Sequence, residues 1–572
     1  MLKPLFVSSF LLAAFAVAQN PAVPEPRAGT PIADVGFVRE FGTPGAPGSF
    51  RARLSRAGAG LAWLQATDHY VSLDAARKTT HGPEDWLLLA TSYAGAPGES
   101  DHALRLLVDG DSPLGVDPAT AEWTAVDIDG GVKFTLPTPS GLVLEKVLRH
   151  DPKARGFVVE IALRNESSTV VGNVPMRLLG PALVLPHESS LFGQLAVSIA
   201  AATDGTHPVV HPKAGPSQKL ELDPKMLSFA GSTNRFFGAF LWPADDAARA
   251  AIVDLSADTL PYADDPDSRT HAATVTRMRY GLTLAVPPAN AETRIVYGLY
   301  LGPKSFRVFE TLPEPQRFAP ILDVDLTPPC CGVEVPGGRA MAKLLLRLLG
   351  WFHDLVGNWG LAIVMLTILV RGLLSPLNYR MQKSMRAYSA RMAVLKPKID
   401  ALQKKHADDK AALQQAMVAL QREHKLIPPL GGCLPIFLTM PIYIGLFTAL
   451  RTAYDVRQRP FVGWIDDLSR ADNLLALPFF PHQLNLLPIV WMVLMAIQTF
   501  RQPLPTDPQQ RQTMMIMRYM PLVFGVMLYG YASALMVYMV TSMVWTFVES
   551  AIIKKKLGPI DPNVAVMAPT PM

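Results

Sequence analysis

The chain has 572 residues, several times the size of an ordinary domain, so at least two domains are expected. Its 49% hydrophobic content and mean hydropathy of +0.20 are too apolar for a purely soluble protein and too polar for one built only of membrane spans. Because 53 Lys and Arg residues face 48 Asp and Glu residues, the net charge of +5 argues against a strongly basic nucleic-acid-binding protein.

Residues 1–19 have the features of an export signal. Lys3 precedes an apolar run over residues 4–18, which ends in the Ala16-Val17-Ala18 pattern typical of a signal-peptidase site. The run is shorter than the about 20 residues that span hydrocarbon comfortably, so both a cleaved signal peptide and a retained signal anchor fit. In both cases the following segment is predicted to be exported.

Residues 20–325 contain no apolar run of membrane length. Short β-type stretches recur between Gly, Pro, Asn and Asp, for example at residues 142–148, 157–165 and 293–301. This pattern predicts a large, mostly antiparallel β domain of the sandwich type.

Residues 326–350 are predicted to form a linker and an interfacial helix. The linker is rich in Pro and Gly, and Lys343 and Arg347 lie on one face of the apolar segment that follows, as suits a helix at the bilayer surface. Cys330 and Cys331 fit either two free thiols or a vicinal disulfide. With Cys433 they give no disulfide framework or metal-ligand spacing, so we assign them no role.

Five membrane spans are predicted within residues 351–556, at 351–377, 434–450, 484–500, 513–530 and 532–553. Residues 371–428 hold twelve Lys and Arg against four acidic residues, so the positive-inside rule places this connection in the cytoplasm. The run of three lysines that begins at Lys554 keeps the end of the last span on the same side. The β domain is then periplasmic, in agreement with the export signal, and residues 557–572 form a short cytoplasmic tail.

Apolar stripes predict a cytoplasmic hairpin of two amphipathic helices over residues 380–427. Ile399 and Leu402 lie before residues 406–409, and Leu413 and Leu420 lie after them. One long solvated helix is the alternative.

Arg371 is the residue that most clearly suggests a function. The apolar run continues over residues 372–377, so the arginine lies about 9 Å inside the segment at a rise of about 1.5 Å per residue. An unpaired charge there costs at least about 2.5 kcal/mol. Thr367 and Ser375 lie four residues on either side of it and form a polar stripe with it. The stripe favours a polar groove over an arginine that only reaches the headgroups.

Other spans offer Gln498, Tyr538 and Trp359 for the same groove, although each residue type also serves as an interfacial anchor or interhelical donor. Glu549, just before the lysine run, is interpreted as a boundary residue. Eight methionines lie within residues 514–543. Flexible thioethers suit a surface that accepts varied apolar side chains, but lipid-facing packing explains them equally well. No catalytic or nucleotide-binding motif occurs, so no enzyme activity, cofactor or metal is expected.

Several short strings occur in one order: VGNWG at 356–360, LTILVRG at 366–372, LKPKI at 395–399, PLGGCLP at 429–435 and FVGWIDDLS at 461–469. Together they resemble the YidC-type membrane protein insertases over nearly all of residues 351–556. The periplasmic part resembles the family more loosely. The resemblance implies a five-helix insertase core and a periplasmic β-supersandwich similar to the sugar mutarotases.

The resemblance also implies a groove that opens to the cytoplasm and lipid, with Arg371 at its centre and Thr367, Gln498 and Trp359 at groove or substrate-contact positions. A family tyrosine that contacts substrate corresponds to Met539, next to Tyr538. The implied function is insertion and folding of membrane proteins in the bacterial inner membrane, alone or with the Sec translocon. Nascent membrane proteins, the ribosome and membrane lipids are the implied partners, without nucleic acid as a specific ligand.

Two other classes of protein are weighed against this one. A membrane-anchored carbohydrate-modifying or carbohydrate-binding protein would act through the β domain. A solute transporter would show inverted internal repeats, which the sequence lacks.

Overall fold

The computed structural model describes residues 36–91, 102–108, 112–168, 172–184, 199–204, 208–211, 218–261, 274–322, 337–405, 415–416, 418–420, 434–478, 483–501 and 508–558. The chain forms two compact units, which divide between Val324 and Asp325. The export signal, the three cysteines, nearly all of the second arm of the predicted hairpin and the tail from residue 559 lie outside the described residues.

The first unit is built from antiparallel strands. They are β1 (Gly36–Phe41), β2 (Phe50–Ser55), β3 (Gly60–Tyr70), β4 (Trp86–Thr91), β5 (Leu106–Val108), β6 (Thr124–Ile128), β7 (Gly131–Pro137), β8 (Leu142–Asp151), β9 (Gly156–Asn165), β10 (Asn173–Leu179), β11 (Ile199–Thr203), β12 (Pro208–His211), β13 (Gln218–Lys219), β14 (Phe229–Thr233), β15 (Phe237–Pro243), β16 (Ile252–Pro261), β17 (Thr274–Ala285) and β18 (Glu292–Pro303). Four short helices join them: α1 (Leu73–Arg77), α2 (Asp246–Ala251), α3 (Phe306–Phe309) and α4 (Pro315–Phe318). The predicted sheet-rich region is confirmed.

Three sheets are formed. Their strand orders are β1-β2-β3-β4, β13-β16-β17-β10-β5 and β12-β11-β14-β15-β18-β9-β8-β7-β6. In the nine-stranded sheet, β8 and β9 form a hairpin with Leu142 opposite Asn165 and Asp151 opposite Gly156. Alternate residues such as Val159, Ile161 and Leu163 are buried, because successive side chains of a strand point to opposite faces.

A buried lysine joins β8 to two neighbouring segments. The Lys146 ammonium donates hydrogen bonds to the carbonyl oxygen of Ala59 and, at 2.5 Å, to that of Leu104. Burial lowers the pKa of Lys146 to about 7, and the positive charge of Arg105 acts in the same direction. Burying the protonated form of Lys146 therefore costs desolvation free energy, and this cost depends on pH.

We expect the free energy of unfolding of the first unit to rise between pH 7.5 and pH 9.5. In this range the unfolded chain keeps a proton on Lys146, with its ordinary pKa of 10.5, whereas the folded unit has released it. The slope approaches about 1.4 kcal/mol per pH unit for one proton. Urea titrations of the full chain at several pH values, read by proteolysis of this unit, measure it.

The control for this prediction is Lys133 on β7, whose side chain is partly exposed and pairs with Glu145. Lys146→Met should abolish the rise with pH, whereas Lys133→Met should keep it. An unchanged slope in the Lys146→Met protein would contradict the assignment.

The second unit is helical. Its long helices are α5 (Gly338–Val356), α6 (Trp359–Lys405), α7 (Leu434–Thr452), α8 (Leu486–Phe500), α9 (Pro508–Met527) and α10 (Ser533–Leu557), and a two-strand ribbon pairs β19 (Leu475–Ala476) with β20 (Gln483–Leu484). Among the described residues, Trp359–Ser384 of α6 and the whole of α10 are long and apolar enough to cross a membrane. Helix α8 and residues Met514–Met527 of α9 are apolar but shorter.

The start of the first predicted span differs from the structure. The apolar sequence is continuous from Trp351, but α5 ends at Gly357, whose φ of +68° is accessible to glycine, and α6 begins at Trp359. The Asn358 side chain accepts a hydrogen bond from the Leu361 amide at 3.0 Å and caps α6. Local cap chemistry therefore divides one apolar run into two helices.

Helix α5 is the amphipathic helix that the sequence predicts. Ala342, Leu345 and Leu349, at spacings of three and four, lie on its buried face. This face packs against α7, where a Cβ on Gly445 would lie 3.1 Å from the Ala342 amide nitrogen. Small residues therefore let the two helix backbones approach closely. The position of α5 at a bilayer surface stays a prediction.

The described residues of the connection after α7, 453–478 and 483–485, hold the N-terminal ends of three helices together. The Asp472 carboxylate accepts hydrogen bonds from the Leu486 and Leu487 amides at 2.8 and 3.0 Å and caps α8. The Ser533 amide, at the start of α10, donates to the Arg470 carbonyl at 2.6 Å. The ring of Phe461 lies against Gly360 at the start of α6. This end of the helical unit is therefore covered by the connection.

Gly360→Ala should destabilise the helical unit by about 1–3 kcal/mol, because a Cβ there would lie 2.0 Å from Phe461 Cδ2. Gly372→Ala in the same helix is the control, since its Cβ would meet only the Trp545 ring at 3.9 Å. The control should be neutral or stabilise by up to about 1 kcal/mol through helix propensity. Thermal unfolding in detergent measures both, and equal effects would contradict this packing.

Candidate functional site between two parallel helices

Two polar contacts join α6 to α10. Arg371 Nε donates a hydrogen bond to Ser542 Oγ at 2.7 Å, and Asn378 Nδ2 donates to Glu549 Oε2 at 3.3 Å. Arg371 and Asn378 are seven positions apart on α6, and their partners are also seven positions apart on α10. The two helices therefore run in the same direction, and both contacts belong to the same alignment of one helix against the other. We call these four residues the α6–α10 seam.

Aromatic rings surround the arginine. The Arg371 guanidinium carbon lies 5.1 Å from the centre of the Tyr443 ring of α7, which is a cation–π distance. The Tyr538 ring centre lies 6.4 Å from that of Tyr443, and Tyr538 precedes Ser542 by four residues on α10. Three helices therefore contribute to the environment of one cation.

The arginine keeps donors that the described residues do not use. Its one hydrogen bond within the described part of the chain is made by Nε, and it forms no ion pair with a described acidic residue. The side chain is partly exposed. A guanidinium has five N–H donors, so donors of its two terminal nitrogens are not used by any described residue.

The other members of the predicted stripe bond to their own helix. Thr367 is 1% exposed, and its hydroxyl donates to the Ile363 carbonyl at 2.7 Å. The Ser375 hydroxyl donates to the Arg371 carbonyl at 3.1 Å. Such bonds satisfy a hydroxyl in apolar surroundings without another helix. Contact of either hydroxyl with a substrate stays a prediction.

The remaining predicted site residues lie in different places. Trp359 is buried at the start of α6, stacked on His353 with ring centres 4.0 Å apart, and lies about 18 Å along the helix from Arg371. Gln498 has a buried Oε1 that finds no hydrogen-bond partner among the described residues. Met539 is partly buried against the helical core. Of the predicted residues outside α6, Tyr538 is the one that contacts between described residues bring into the surroundings of Arg371, through the Tyr443 ring.

Sequence reasoning missed Ser542, Asn378 and Tyr443, and it interpreted Glu549 as a boundary residue. A signal was present in the last span, where Tyr538, Ser542 and Glu549 follow each other at spacings of four and seven and fall on one helical face. Nothing in the sequence showed that this face meets Arg371.

Ser542→Ala should destabilise the helical unit by about 1–3 kcal/mol, because Arg371 Nε would lose its partner in a partly buried position. Ser375→Ala removes only a bond within one helix and should cost less than about 1 kcal/mol. Thermal unfolding in detergent compares them. A double-mutant cycle with Arg371→Ala should give a coupling energy for Ser542 and none for Ser375; the reverse pattern would refute the contact.

Apolar helices that hold a charged residue on an inner face are typical of an integral membrane protein. Residues 351–559 match the family model of the 60Kd inner membrane protein. The resemblance to YidC-type insertases that the sequence motifs indicate is thereby confirmed.

Three similar proteins carry the name Membrane protein insertase YidC. The protein from Neisseria gonorrhoeae strain NCCP11945 is 36% identical over 274 residues, that from Tolumonas auensis 34% over 276, and that from Pseudomonas fluorescens strain SBW25 36% over 276. The matches cover 47%, 48% and 48% of this chain and 45%, 45% and 43% of the relatives. The aligned part thus spans less than half the length of these relatives.

Proposed function

We propose that the protein is a membrane protein insertase and folding chaperone of the bacterial inner membrane, with Arg371 at the centre of an intramembrane polar groove. The observation that carries this proposal is the partly exposed guanidinium between apolar helices, which has one side-chain hydrogen bond and no acidic partner among the described residues. The insertase name of the similar proteins supports it.

The groove acts on the hydrophilic segment that must cross the membrane beside an apolar span. Moving a carboxylate out of water is costly, and a cation about 4 Å away returns about 4 kcal/mol at an effective dielectric constant of 20. The attached apolar span then leaves along α8 and α10 into lipid, and its burial supplies the driving force. No nucleotide or covalent step is needed.

The covered end of the helical unit fits this mechanism. Phe461, Arg470 and Asp472 of the connection contact the N-terminal ends of α6, α10 and α8, respectively. With the orientation that the charges predict, this end is periplasmic and the other end opens to the cytoplasm. A hydrophilic segment can then enter from the cytoplasm while the far side stays closed to ions.

The wider assignments complete the proposal. Helices α6 to α10 form the five-span core, the β-sheet unit is a periplasmic supersandwich, and the C-terminus is cytoplasmic. Nascent membrane proteins are the substrates, presented by the ribosome or beside the Sec translocon, and membrane lipids surround the groove. Nucleic acid is not a specific ligand, and the protein is not an enzyme.

Arg371→Ala should lower insertion of substrates with an acidic translocated tail about tenfold, the factor that 1.4 kcal/mol supplies, and leave neutral tails nearly unchanged. Protease protection of the tail in nucleotide-free proteoliposomes measures insertion. Arg380→Ala is the control, because Arg380 lies exposed further along the same helix. Normal insertion of every acidic tail by the Arg371→Ala protein would remove this charge from the mechanism.

A further inference from the structure

Glu549 is a buried carboxylate that the mechanism above leaves unused. Its side chain lies in the α6–α10 seam, and the residue is 8% exposed. Its described partner is the Asn378 amide, at 3.4 Å from Oε1 and 3.3 Å from Oε2. Both distances exceed the usual 2.7–3.2 Å of an N–H···O bond, so the amide satisfies the carboxylate weakly.

The nearby lysines do not neutralise Glu549. On a helix, a cation three or four positions away can pair with a carboxylate, but Ile552 and Ile553 occupy these positions. The lysines at 554–556 are exposed, and none forms an ion pair with Glu549 in the described residues. The carboxylate therefore keeps acceptor capacity that a cation could use.

The two charges of the seam are separate. Arg371 and Glu549 belong to different contacts that are seven residues apart, which is about 10.5 Å along the helices. The Arg371 guanidinium lies over the Tyr443 ring, 5.1 Å from its centre. The seam thus presents a cation and, about two turns nearer the C-terminal ends of the helices, an anion.

We propose that Glu549 is a specificity-determining residue that binds Lys and Arg side chains of a translocating segment, as Arg371 binds its acidic side chains. The inference rests on the proposed insertase function. An incoming ammonium or guanidinium displaces the Asn378 amide, because a charge-assisted hydrogen bond at about 2.7–2.9 Å is roughly twice as strong as the neutral one it replaces. The groove can then carry tails of either sign.

The test uses full-length protein in liposomes and three single-span substrates that differ only in the translocated tail, which carries one Lys, one Glu or neither. Glu549→Gln should lower insertion of the Lys tail about tenfold relative to the neutral tail, which corresponds to 1.4 kcal/mol. The Glu and neutral tails should be unaffected. Glu549→Asp keeps the charge and should restore most of the insertion of the Lys tail.

The Asn378→Ala variant distinguishes a role of the Glu549 charge in binding substrate from a role of the Asn378–Glu549 contact in packing the helices. It removes the amide and keeps the carboxylate, so insertion of the Lys tail should stay normal or rise. If the contact only holds α6 to α10 together, Asn378→Ala and Glu549→Gln should both reduce the insertion of all three substrates by a similar factor. That result would overturn the proposal. If the Glu549→Gln protein does not fold, Asn378→Ala decides alone: insertion of the Lys tail that rises relative to the neutral tail supports the proposal, and a similar reduction of all three tails overturns it.

The outcomes for the two proposals are distinct. If the unmodified protein inserts none of the tails, the insertase function fails, and this inference fails with it. If it inserts all three and Glu549→Gln does not change their ratios, the inference about Glu549 alone fails.

Discussion

The hydrogen bond between Arg371 and Ser542 is the interaction on which the functional site depends. A guanidinium between apolar helices is costly unless its donors find partners. Ser542 satisfies only Nε, and the Tyr443 ring faces the cation at 5.1 Å. The arginine is thus fixed without being neutralised, because neither a hydroxyl nor a ring removes its charge. A carboxylate in place of Ser542 would hold it more firmly but would occupy the donors that a ligand needs.

The fixed position of this arginine requires α6 and α10 to stay in register. Two contacts seven residues apart lie along that register, and the Ser375 hydroxyl bonds to a carbonyl of its own helix without constraining it. At the N-terminal ends, the Asp472 cap on α8 and the contact of Phe461 with Gly360 link the helices through one connection. The N-terminal ends are thus linked through one connection, and two polar contacts lie along the seam.

The sequence predicted the sheet-rich region and the apolar helices because both depend on local periodicity. Strand β9 buries Val159, Ile161 and Leu163 at alternate positions, and α5 repeats its buried residues every three or four positions. The start of α6 was misplaced by eight residues, from 351 to 359, because hydropathy alone does not register the glycine turn and asparagine cap. Arg371 was found because a charge within an apolar run is recognisable in the sequence without knowledge of how the helices pack.

What the sequence determined by itself is therefore the chemistry of each element: an arginine with Thr367 and Ser375 on its own face, a run of lysines after the last helix, and motifs that resemble a known family. The tertiary structure decided which faces meet. Ser542 and Glu549 lie 171 residues from their partners on α6, and no periodicity within one helix specifies the register of another. Packing between helices sets that register, and so only the folded chain shows a cation and, about two turns further along the same seam, a weakly bonded carboxylate.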